Sequence, residues 1–269
     1  MIRLPTIPLP PAANTQLADY QREIDSLPNY ETRVDQAKVR FNRLNKRDNP
    51  TFATVRATLS AMCVGAQRCA YCEDSLAGEV DHLWPKTLYP NLVFAWTNYL
   101  YACGSCNRTK SSNFAVFAHG TGVHTDVGRR RGMPVVPPVA GTLVLLDPRV
   151  DDPMDFMTLD LPGTFLFKVT AEPGTVAYQR AKYTIDLLGL NRREPLRLAR
   201  IHAYRDFFAH FNGYVRERAH GHAPEHLLHL AHDIQTRQHA TVWREMKRQH
   251  QLIPELKRLF EAAPEALGW

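Results

Sequence analysis

Residues 69–110 read CAYCEDSLAGEVDHLWPKTLYPNLVFAWTNYLYACGSCNRTK. Cys69 and Cys72 form one CxxC pair, and Cys103 and Cys106 form a second, with 30 residues between them. Two knuckles of two thiolates each supply the full tetrahedral set of a structural Zn²⁺, with no position left open. Such a site clamps the two ends of the intervening segment together. A rival reading is two thioredoxin-like redox pairs, but neither CxxC sits in a βαβ pattern. The fifth cysteine, Cys63, falls on the apolar stripe of the preceding helix and reads as a small buried hydrophobe.

The residues inside the frame carry chemistry. Asp81 and His82 are adjacent, after Glu79 and Val80. Asn107 follows Cys106 directly, so a zinc clamp fixes its position and can bring it to Asp81 and His82. Carboxylate and amide oxygens are hard ligands suited to Mg²⁺ or Mn²⁺. A neighbouring imidazole suits a general base near neutral pH. Together these are the parts of metal-assisted phosphodiester hydrolysis. Plainer readings stand beside this one. His82 can be the fourth ligand of a Cys3His zinc, Asp81 can cap a turn, and Asn98 can be a turn residue. Lys110, one helical turn past Asn107, either touches a phosphate or is simply solvated. Trp84, Trp96, Tyr99 and Tyr101 read as packing around a small zinc core.

The pattern CxxC…DHxxPK…WxNxxxxCxxCNxxK resembles the HNH endonucleases, the ββα-metal or His-Me finger fold. The resemblance implies His82 as general base, Asp81 as ligand of the catalytic metal and Asn98 as the brace that orients the base. Asn107 stands where many members carry His; phage junction-resolving enzymes with a four-cysteine zinc are similar in using Asn there as a metal ligand. Arg108 and Lys110 are then candidates for the nucleic-acid backbone. A narrower resemblance runs from about residue 66 to about residue 200. It rests on DHLWPKTLYPNLVFAWTNYLYACGSCNRTKSS, LLDPRVDDP and YTIDLLGLNRREPLRLAR, and it points to the HNH subunits of retron-associated and Septu-type antiphage systems. That resemblance implies a nuclease effector, DNA ahead of RNA as substrate, and an ABC- or SMC-like ATPase partner. The alternative from another class is a non-catalytic, zinc-clamped subunit that binds nucleic acid or protein. Cleavage requires Asp81 and His82, whereas binding alone does not.

Outward from this frame the chain reads as mainly α. The expected organisation is a helical arm at 1–65, the small ββα module at 66–118, an irregular connector with a small β-hairpin at 119–174, and a helical region at 175–269. In the connector, 142–148 and 164–169 are the two strand-like runs. In the last region, Ile201, Tyr204, Phe208, Phe211 and Val215 repeat at three and four residues and read as a core stripe. Phe207 and Tyr214 lie off that stripe and read as a candidate docking face for a partner, with cover by a helix from residues 14–60 as the plain alternative. His222, His226, His229 and His232 cluster without a carboxylate or cysteine framework and read mainly as surface charge.

The chain has 269 residues, 44% hydrophobic and 22% charged, the composition of an ordinary globular protein. No apolar run is long enough to span a membrane. Prolines at 5, 8, 10 and 11 break the stretch a secretory signal needs, so a cytoplasmic protein with reduced thiols is expected. Net charge is +6, and its excess is uneven: residues 1–60 carry +3 and residues 180–218 carry +5. Basic flanks at 33–47 and 180–218, joined by Arg129 to Arg131, suit a polyanion held without base reading; solvated helix faces and a mobile arginine loop are the plain alternatives.

Overall fold

Asparagine caps set the first helices. The computed structural model describes every residue from Met1 to Trp269. Helix α1 spans Pro11–Asp25, α2 spans Tyr30–Leu44 and α3 spans Pro50–Ala61. Asn29 accepts a hydrogen bond from the Thr32 amide and Asn49 from the Phe52 amide, each satisfying a donor that the first helical turn leaves free. The three helices send Leu17, Ile24, Val34, Phe41, Phe52 and Val55 into the core.

Strand β1 (Glu79–His82) pairs antiparallel with β2 (Tyr99–Ala102), with Asp81 opposite Leu100 and His82 opposite Tyr99. Helix α4 (Gly104–Lys110) follows at once, and the Cys103 sulfur caps it by accepting the Cys106 amide at 3.4 Å. Strands β3 (Ala115–Ala118), β4 (His124–Asp126) and β5 (Gly141–Leu143) form a sheet with β3 at its centre. Strands β6 (Met157–Leu159) and β7 (Phe167–Val169) form a separate two-stranded sheet.

The two expected strand-like runs therefore do not pair with each other. The first contributes β5 to β3, and the second contributes β7 to β6. Strands of three residues hold too little alternation to reveal a partner. Beyond β5, Val144, Leu145 and Leu146 are all fully buried, which explains the continuous apolar run.

The remainder is α5 (Val176–Leu187), α6 (Glu194–Ala219), α7 (Pro224–Gln235), α8 (Ala240–Gln249) and α9 (Pro254–Ala262). No helix is long and apolar enough to cross a membrane. Helix α6 corrects one expectation. Its buried face is Leu196, Arg200, Ala203, Phe207, Phe211 and Tyr214. Phe207 and Tyr214, expected on a docking face, lie in the core. Phe207 stacks on Trp243 at 5.6 Å, and the Tyr214 hydroxyl donates to Glu265 at 2.9 Å. Two adjacent faces of α6 are apolar at helical spacing, so periodicity alone cannot choose between them; packing against α8 and α9 does. One core cluster holds residues from Met1 to Ala266, so the helices at both ends share it with the cysteine segment.

Candidate metal centre and catalytic cleft

The turn after Arg68 and the start of α4 bring the four knuckle cysteines together. Their sulfurs all lie within 4.8 Å of one another, and all four residues are buried and free of disulfides. Contact between thiols, with Cys103 foremost, pushes the protons onto Cys69 and Cys106. A soft divalent cation relieves that crowding by replacing the protons, so the donor set fits Zn²⁺. His82 is not part of this cluster, and no other three Cys, His or carboxylate ligand atoms meet so closely. The C-terminal histidines form no such group; His222 and His226 instead approach Glu217 at 3.0 and 3.6 Å.

Arg193, just before α6, was invisible to sequence reasoning as a site residue. Its guanidinium donates to the Cys106 sulfur and to Ser105 Oγ, each at 3.3 Å. Four thiolates would exceed the charge of one Zn²⁺, and a cation placed here would offset part of that excess.

His82 ends β1 with its ring enclosed. Phe41 of α2 lies 4.4 Å away and Tyr99 of β2 5.3 Å away, both edge-on. His82 Nε2 sits 2.9 Å from the Val93 carbonyl oxygen, which also accepts from the Tyr99 hydroxyl at 2.8 Å. A carbonyl can only accept, so Nε2 carries the proton and Nδ1 keeps its lone pair. Burial first, and then the charge of Lys86, hold the imidazole well below its ordinary pKa and therefore neutral.

Asp81 is 5% exposed. One of its oxygens accepts from the Tyr71 hydroxyl at 2.6 Å, and Lys110 lies 3.3 Å away as its ion pair. Lys110, read as a backbone-contacting or solvated cation, is 1% exposed and also donates to the His82 carbonyl at 2.6 Å. Its charge is spent inside the protein because α4 turns that face onto β1. Tyr71 stands between Cys69 and Cys72, so the first knuckle touches Asp81 directly.

Asn98 is a brace rather than a cleft residue. Its amide donates to the Trp84 and Leu92 carbonyls and accepts from the Trp84 amide at 2.7 Å. That closes the long β1–β2 connection. Asn107 donates its Nδ2 to Glu79 at 2.7 Å, which leaves Oδ1 as the oxygen free to meet a cation. Glu79, two residues before Asp81, gave no separate signal in the sequence.

Asp81, His82, Lys86, Asn107 and Arg108 line one cleft of about 300 Å³ together with Ser111 and Ser112, and no hydrophobic side chain lines it. Asp81 and Asn107 offer hard oxygen donors to it, a set that fits a hard divalent cation.

The basic flanks fare differently. Within 180–218, Arg180, Lys182, Arg197 and Arg218 pair with Asp151, Asp186, Glu194 and Glu265. Arg200 is buried on the Leu190 carbonyl at 2.8 Å. Arg129, read as part of a loop, is anchored on the Thr87 and Val136 carbonyls and the Tyr30 hydroxyl.

No family model matches the chain, and no solved structure matches it. The chain is 38% identical over 60 residues to the Septu protein PtuB of Bacillus thuringiensis. That match covers 20% of this chain and 23% of PtuB, so the likeness spans about a quarter of the length of that relative.

Proposed function

We propose that the protein is a divalent-metal-dependent endonuclease of the HNH type that hydrolyses nucleic-acid phosphodiester bonds. One observation carries the reading. A buried, neutral imidazole whose Nε2 is committed to a carbonyl shares a polar cleft with the Asp81 carboxylate and the free oxygen of Asn107. His82 Nδ1 takes a proton from water, and the hydroxide attacks phosphorus in line, breaking the bond to the 3′ oxygen, which leaves and takes up a proton from solvent as a hydroxyl. Asn98 and Val93 hold the imidazole in register. Lys110 and Tyr71 hold the Asp81 carboxylate in place. Asp81 and Asn107 would hold Mg²⁺ or Mn²⁺, whose charge would offset the negative charge that builds on the phosphate and the departing oxygen.

The partial likeness to a Septu protein supports a role in antiphage defence, within a system of more than one component. In this reading the chain is the nuclease effector, DNA is its preferred substrate, and an ABC- or SMC-like ATPase is its partner. The test is cleavage of plasmid DNA by purified protein with Mg²⁺, Mn²⁺ or EDTA, alongside His82→Ala. Metal-dependent nicking that the variant loses supports the reading. Binding without cleavage under every metal would make the chain a zinc-clamped binding subunit instead.

A further inference from the structure

The cations around the cleft can be sorted by what already holds them. Lys110 is spent on Asp81 and the His82 carbonyl. Arg193 is spent on Cys106, and Arg129 on two backbone carbonyls. Arg108 is exposed on the lip, where its Nη1 and Glu79 Oε1 each come within 2.8 Å of the point a Gly104 side chain would occupy, so an acid stands near its charge. Lys86 differs from all of these. It lines the cleft, is half-buried, and has no hydrogen bond or ion pair. Its ammonium rests over the ring of Phe41, 5.0 Å from the centroid.

An aromatic face attracts an ammonium but does not neutralise it. The carboxylate in the same cleft, Asp81, makes its ion pair with Lys110 and none with Lys86. The next residue adds a second unmet group, since the Thr87 hydroxyl is buried without a hydrogen-bond partner. This wall thus presents a free cation, the complement of an anionic oxygen, with an unpartnered hydroxyl buried behind it. The same Phe41 ring packs on His82 at 4.4 Å, so one side chain sets both the imidazole and the ammonium.

We propose that Lys86 binds a non-bridging phosphate oxygen of a nucleic-acid backbone and holds that phosphate beside His82. Lys38, exposed on α2 one turn before Phe41, extends the track outward. The role earlier given to Lys110 passes to a residue four positions after His82. The proposal deepens the phosphodiesterase reading and rests on it for the identity of the polyanion.

The test separates binding from cleavage. Wild type, Lys86→Met and Lys86→Arg are titrated with a short labelled DNA duplex, and with one of its strands, in EDTA across a series of salt concentrations. The logarithm of affinity falls linearly with the logarithm of salt, and its slope counts neutralised phosphates. Lys86→Met should lower that slope by about one and weaken binding at low salt, whereas Lys86→Arg should keep both. Zinc content and melting temperature should match wild type in both variants. With metal present, Lys86→Met should cleave more slowly. An unchanged slope and affinity in Lys86→Met, or wild type that binds neither DNA, overturns the proposal. If wild type never cleaves but Lys86→Met still loses its phosphate contact, the nuclease reading fails while the binding site stands. If wild type cleaves and Lys86→Met matches it in cleavage, slope and affinity, the nuclease reading stands while the Lys86 site fails.

Discussion

The guanidinium of Arg193 lies 3.3 Å from the sulfur of Cys106. This contact ties the start of α6 to the last thiol of the second knuckle, across 87 positions of sequence. The loop that delivers it turns at Gly189, whose φ of +60° is a left-handed conformation that a side chain would strain. Purified protein should hold about one Zn²⁺ per chain, and Cys103→Ser should lose it and fold poorly. Arg193→Ala should keep the metal but release it to a chelator more readily, with affinity down roughly 10–100-fold, the usual worth of a partner behind a ligand. Equal chelator competition by wild type and variant would reduce Arg193 to a packing residue.

His82→Ala should lower cleavage by roughly 10²-fold or more, the typical contribution of a general base. Zinc content and nucleic-acid binding should be intact. Loss of zinc in the variant would contradict the separation between His82 and the thiol cluster.

Lys110→Met removes the cation from a buried pair and leaves the Asp81 carboxylate with only Tyr71. Breaking a buried pair from one side costs about 3–5 kcal/mol. A marked fall in thermal stability is expected. A variant that melts like wild type yet binds DNA more weakly would return Lys110 to the nucleic-acid backbone.

Asp152 fixes the chain before β6 to α8, where both its oxygens meet the guanidinium of Arg244 at 2.8 and 3.2 Å. Burial alone would raise its pKa, but the Arg244 fork and the Met154 amide outweigh burial and hold the pKa below the ordinary carboxylate value. A depressed folded pKa stabilises the protein above the unfolded value of about 3.9, and that stabilisation is lost as pH falls through the folded pKa. Arg244→Ala should therefore narrow the stability gap between neutral pH and pH near 3, as read by denaturant unfolding. An unchanged acid limb would show that the pair is too solvated to matter.

Phe207→Ala should cost about 3–5 kcal/mol, as truncation of a buried aromatic does. Phe208→Ala, on the half-buried neighbouring face, should cost clearly less. Equal losses would mean that α6 packs through both faces alike.

The spacing of the cysteines made the four-thiol cluster legible, because paired knuckles have few uses besides holding one metal. The convergence of Asp81, His82 and Asn107 on one cleft was legible for the same reason: Asn107 is next to a knuckle, and the others end the strand the knuckles enclose. The fate of Lys110 was not legible. A lysine at the end of a short helix looks solvated until the strand beneath it is seen. Phe207 and Phe208 are adjacent, and a helix apolar on two faces gives no local sign of which one turns inward. Arg193 lies too far along the chain for any spacing rule to connect it with Cys106.

Phe41 belongs to α2, yet its ring walls in His82. A fragment that began at the first knuckle would open the Phe41 side of the imidazole to water and weaken the burial that lowers its proton affinity. The smallest piece that keeps this enclosure therefore includes α1 as well as α2, since Gln21 of α1 holds the Phe94 amide and the Pro90 carbonyl on either side of Val93. A boundary drawn at the cysteines would transfer the four-thiol cluster and leave the enclosure of His82 behind.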